Sequence, residues 1–170
     1  MQGPIVVATD GGPAAANLLR AAAALAREAN QPILIVGAVE DGENANASAL
    51  GIEPDADVRE EIERLVRADV ANMARPAVGE TRFRVHVEAG RASAVVRRIA
   101  SKHHASLIVV GQGHPTAVDR LFGDAALNIV RAAEQPVLVV PDDPSPTATA
   151  KRAMWPPRRV IAGFDFSPTS

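Results

Sequence analysis

Two short runs of purely apolar, largely β-branched residues constrain this chain most: Leu107-Ile108-Val109-Val110 and Val137-Leu138-Val139-Val140. Neither alternates with polar residues, so each must be covered on both faces, as strands of a parallel sheet between helical layers are. The stretch between them fits that arrangement. The first run breaks at Gly111-Gln112-Gly113, and a polar, proline-containing loop follows from His114 to Phe122. Gly123-Asp124 then opens an amphipathic run, Ala125 to Glu134, and Pro136 starts the second strand. Glycines that leave a parallel strand for a helix N-terminus suit an anion, because the first backbone N–H groups of a helix have no partner within it.

The rest of the chain repeats the alternation. Pro4 to Thr9 reads as a buried strand ended by Asp10-Gly11-Gly12-Pro13, where glycines allow a tight turn and proline suits a first helical turn. Ala14 to Asn30 is an alanine- and leucine-rich helix stopped by Gln31-Pro32, and Ile33-Leu34-Ile35-Val36 begins a second strand that extends to about Val39. In the next helix, Val58 to Ala77, the residues Val58, Ile62, Leu65, Val66, Val70 and Met73 fall at helical spacing. Arg82 to Glu88 alternates, with Phe83, Val85 and Val87 on one side, and suits an edge strand with one solvated face. Ser93 to His104 is the third helix, turning Val95, Val96, Ile99 and Ala100 inward. The expectation is an α/β fold of five strands and four helices.

Composition removes several functions. A net charge of −2 gives no electrostatic reason to bind nucleic acid or an anionic membrane, and 3% aromatics with no Tyr leave little for base stacking. Without Cys there are no disulfides, thiolate metal sites or cysteine nucleophiles. No apolar run approaches membrane-spanning length, and no signal pattern opens the chain, so a soluble, cytoplasmic protein is expected. Neither a Gly-x-Ser-x-Gly elbow nor a His-Glu-x-x-His helix occurs, and Gly111-x-Gly113 lacks the following residues of a dinucleotide fingerprint or a P-loop. His103 and His104 are neighbours on a helix end and cannot face one point, which leaves them solvated.

From Pro4 to Pro141 the chain resembles the universal stress protein family. That family's phosphate motif runs Gly, two residues, Gly, nine residues, Gly, then Ser or Thr; Gly113 and Gly123 keep the nine-residue gap. Two positions depart from it: Gln112 alone separates Gly111 from Gly113, and Asp124 replaces the hydroxyl residue. The resemblance implies a Rossmann-like, adenine nucleotide alpha hydrolase-like α/β fold. Its five-stranded parallel sheet has the order 3-2-1-4-5, with helices on both faces and a site at the reversal between strands 1 and 4. It also implies a stress-response regulatory domain without catalysis, apart from slow ATP hydrolysis at most. The expected ligand is an adenine nucleotide, ATP held weakly. Asp10 and Gly11 would lie by the adenosine portion, backbone near Val39 would meet the adenine, and Gly111, Gly113, His114, Gly123 and Asp124 would surround the phosphates. A different reading makes the chain a dimerisation or scaffold module whose phosphate loop has degenerated. On either reading the family implies a homodimer through the Val137–Val140 strand, with no nucleic acid or membrane partner.

Two segments stand apart. Glu40 to Asp57 is long and acidic and leaves the strand end where open α/β sheets bind ligands; it reads as a cover over the site or as a disordered insertion, and length and composition favour the insertion. Asp142 to Pro157 is a Pro/Ser/Thr/Ala-rich linker. After it, Val160 to Pro168 aligns without gaps on Ile5 to Pro13, matching Asp165 to Asp10 and Pro168 to Pro13. The expected organisation is a domain over 1–141, a linker over 142–157, and over 158–170 the first strand and turn of a truncated second repeat.

Overall fold

The computed structural model describes residues 3–12, 15–39, 56–112 and 124–141. Expectations placed on 40–55 and 142–170, and on Gly113, His114 and Gly123, lie outside the described residues. The strands are β1 (Ile5–Ala8), β2 (Ile33–Val39), β3 (Phe83–Ala89), β4 (Leu107–Gly111) and β5 (Val137–Val140). The helices are α1 (Ala15–Ala29), α2 (Ala56–Val78), α3 (Ala92–Lys102) and α4 (Asp124–Ala132). The sheet is wholly parallel in the order β3-β2-β1-β4-β5, as expected.

Alternation along the strands sends side chains into two cores. On one face Ile5, Val7, Ile33, Ile35 and Val109 pack with Leu19, Ala22 and Ala26 of α1 and with Val70, Ala74 and Val78 of α2. On the other, Val6, Leu34, Val36, Ile108 and Val110 pack with Val95, Val96, Ile99 and Ala100 of α3 and Ile129 of α4. The central strands β1 and β4 are buried from both sides, which explains their unbroken apolar composition. Burying each such side chain contributes roughly 1.5–3 kcal/mol.

α2 corrects one expectation. Its apolar stripe is continuous in sequence, but Val58 and Leu65 are each 52% exposed, and full burial starts only at Val70. At about 1.5 Å per residue the 23-residue helix is about 34 Å long, whereas seven-residue β3 spans about 23 Å, so α2 outruns the sheet it covers.

The turns at the amino edge are tight. α1 and α3 end on left-handed residues, Asn30 (φ 50°) and His104 (φ 49°), and in each case the next N–H returns to the last turn: Gln31 to the Ala26 carbonyl, Ala105 to that of Ala100. The chain entering β1 passes directly over the α3 ending. A Cβ on Gly3 would stand 1.8 Å from the His104 carbonyl oxygen.

The two sheet edges differ in chemistry. On β3 the even residues bond to β2, and the open edge is flanked by Arg84, His86 and Glu88, with Arg98 of α3 and His86 both bonded to the Glu88 carboxylate. On β5, Pro136 and Val140 carbonyls accept from Ile108 and Gln112, so Val137 and Val139 turn their N–H and C=O groups outward. No charged side chain lies within β5.

Candidate nucleotide site at the sheet reversal

β1 and β4 are neighbours although five elements, α1 to α3, separate them in sequence, and here the strand order reverses. Helices leave adjacent parallel strands in opposite directions at such a point, opening a crevice at the carboxyl ends. Ala8 is in register with Val110 on one side and Val36 on the other, so Thr9-Asp10, Gly111-Gln112 and the end of β2 share one edge.

The Thr9-Asp10-Gly11-Gly12 turn is held by its own side chains. Gly11 N–H donates to Thr9 Oγ1 (3.1 Å), and Gly12 N–H to Asp10 Oδ1 (2.8 Å). Gly11 takes φ 78°, a conformation that favours glycine, so the sequence Asp-Gly has a steric reason here. Gly11's positive φ is not helical, so the Asp10 carboxylate closes an Asx turn in the loop. Both N–H groups a phosphate could have used in this turn are taken. What the turn offers outward is a carboxylate, a partner for hydroxyl or amino donors.

Gly111 belongs to β4, in register with Val140, and the Gln112 N–H donates to the Val140 carbonyl at 2.8 Å. The strand therefore runs one residue further than expected, and Gly111 serves the ladder with extended backbone. Asp124 is the first residue of α4.

Val39 ends β2 with its backbone committed to β3. Gly90 N–H donates to the Val39 carbonyl (3.0 Å), and the Val39–Ala89 register directs the Val39 N–H to the Glu88 carbonyl. The Val39 carbonyl keeps one lone pair to spare, and its N–H is taken.

Three contacts had no signal strong enough to be read from sequence. Thr9 closes the β1 turn, a use of threonine that a Thr-Asp-Gly-Gly string permits. Asn17 Nδ2 of α1 donates to the Pro141 carbonyl at 3.2 Å, tying α1 to the end of β5. Glu63 of α2 accepts from the Ala89 N–H at 3.1 Å. Among the described residues no cluster of three or more His, Cys, Asp or Glu could hold a metal ion, and no helix is long and apolar enough to cross a membrane.

No curated protein matches the chain in sequence. Among solved structures it is similar to a universal stress protein in complex with cAMP (23% identity, TM-score 0.60, 84% of this chain and 100% of that one). Another is the universal stress protein from Archaeoglobus fulgidus in complex with dAMP (22% identity, TM-score 0.53, 81% and 96%). A third is a functionally unknown protein from Pseudomonas aeruginosa PAO1 (21% identity, TM-score 0.59), of which the match covers 83% of this chain and 48% of that one. These likenesses establish the fold. The model of the universal stress protein family matches residues 1–141, and the chain belongs to that family.

Proposed function

We propose that this chain is a non-catalytic, cytoplasmic regulatory domain of the stress response that binds an adenine nucleotide weakly at the β1/β4 reversal. One observation carries the reading: the Asp10 turn and the end of β4 share the edge where such sheets take ligands. The relatives' complexes with cAMP and dAMP support the choice of ligand class. Asp10 and Gly11 receive the adenosine portion beside Val39, whose carbonyl can still accept a hydrogen bond. Gly111 leads into the phosphate segment of Gly113, His114, Gly123 and Asp124.

Affinity is low for three physical reasons. Asp124 accepts hydrogen bonds only and sets its charge against a phosphate; at ~4 Å and an effective dielectric near 20 that repulsion is on the order of 4 kcal/mol. The one-residue spacer between Gly111 and Gly113 shortens the turn around the phosphates. The Val39 N–H is unavailable to the base. ATP therefore binds in the high micromolar range or above, and adenosine loses less than ATP. Asp124→Ser improves ATP binding at least tenfold, about 1.4 kcal/mol, by titration calorimetry. Tight ATP binding by the unmodified protein, or no gain from serine, overturns this. If neither protein binds any nucleotide, the scaffold reading takes its place.

The same reading makes the protein a homodimer through β5, antiparallel about a two-fold axis. It also takes 142–157 as a linker to a second repeat that starts at 158. The Pseudomonas aeruginosa relative, about twice the matched length, supports a two-repeat ancestry.

A further inference from the structure

Val70, Ala74 and Val78 fix the last third of α2 in the core, but no side chain from Ala56 to Asp69 is fully buried. What holds this longer part is half-buried: Ile62 and Val66, with Val66 against the core, and Glu63. Glu63 ties the arm to β3, accepting the Ala89 N–H at 3.1 Å in a part-buried setting. That N–H points away from β2 and would otherwise stand on the open edge of the sheet. Ala89 is paired with Val39, and the next residue, Gly90, donates to the Val39 carbonyl at 3.0 Å. α2 is thus linked by two successive backbone positions to the strand end on the adenine side of the crevice. The same helix reaches the other side too: Met73 packs on the core with its methyl by Gly11, where an added Cβ would sit 4.0 Å from it.

We infer that Glu63 is a positioning residue for the nucleotide site. Its carboxylate latches the amino-terminal arm of α2 onto β3 and so keeps the Val39–Gly90 wall and the Asp10 turn at a fixed separation. This rests on the proposed site, but the latch has its own observable. Without the carboxylate the arm is held by two half-buried apolar side chains, and it opens locally while the core stays closed. Opening releases Gly90 and Val39 from their constraint, and a ligand must then restore the wall as it binds.

Hydrogen exchange of the full chain tests the latch, with Glu63→Ala and Glu63→Gln compared. Gln can still accept the Ala89 N–H through its amide oxygen. Exchange over 56–66 and 89–90 is expected to quicken tenfold or more in Glu63→Ala and to stay within about threefold of the parent in Glu63→Gln. Exchange in β1 and β4 is unchanged in both. Adenosine binding weakens threefold to tenfold in Glu63→Ala and recovers in Glu63→Gln. Unchanged exchange at 56–66 in Glu63→Ala overturns the latch, as does acceleration spread evenly over the core strands. Unchanged adenosine affinity with a loosened arm overturns the positioning role and leaves a structural bond. If the parent protein binds no adenosine, the nucleotide reading and the positioning role fall together, and the exchange data still decide whether Glu63 holds the arm.

Discussion

The smallest decisive feature is the hydrogen that Gly3 has in place of a side chain. With a Cβ 1.8 Å from the His104 carbonyl, Gly3→Ala must push the entry to β1 away from the end of α3, where Ser106 N–H also bonds to the Pro4 carbonyl at 3.1 Å. We expect a loss of about 1–3 kcal/mol and a fall of several degrees in thermal unfolding followed by circular dichroism. An unchanged midpoint would mean that the chain entry can move without cost. Nothing in the sequence near Gly3 announces this, because the partner is a backbone atom of His104, a hundred residues away. Asp10 and Gly11 were legible for the opposite reason: their turn is local, and Asp-Gly carries its chemistry in adjacent residues. β4 runs one residue past its apolar run, to Gly111, and such a run gives no sign of where its ladder ends. Only the Gln112–Val140 bond, which needs β5 in place, sets that boundary.

Between elements, hydrophobic periodicity was a sound guide to what forms and a poorer one to how much is covered. The strands and helices and the inward face of α3 follow from sequence, since each needs only a local pattern and a core to receive it; the sheet order 3-2-1-4-5 rested on the family resemblance and matches. The arm of α2 does not, because exposure there depends on helix length against strand length. Polar ties between elements were also hidden. The clearest joins β3 to α3: Arg98 and His86 both bond to Glu88, and the Arg98 bond, then the His86 bond, hold the Glu88 carboxyl below its ordinary pKa. A carboxylate with a lowered folded-state pKa stabilises the fold fully above its unfolded value, near 4.3, and loses that contribution as pH falls through the folded value. Because the pair is partly solvated, the contribution is at most about 1 kcal/mol. Glu88→Gln should therefore be less stable than the parent at pH 7, with the gap closing toward acid pH. Urea unfolding at several pH values checks this, and a gap constant down to pH 3 would contradict it.

At the scale of the molecule, the proposed pairing through β5 can be tested at one residue. Val139 points its N–H away from β4, so Val139→Pro removes a donor the sheet does not use, and proline is tolerated on such an edge. The parent should be a dimer by light scattering at micromolar concentration, and Val139→Pro a folded monomer. A parent monomer, or an undiminished proline dimer, would rule out this interface. The inequality of the two edges then has a consequence for stoichiometry. A sheet with two bare edges can add copies end to end without limit, as a fibre does. In this one the far edge is flanked by Arg84, His86 and Glu88, and the Glu63 carboxylate occupies its last N–H. Under the proposed pairing through β5, each copy would use the edge that is uncharged among the described residues, so growth would end at two and the fold would carry its own chain terminator.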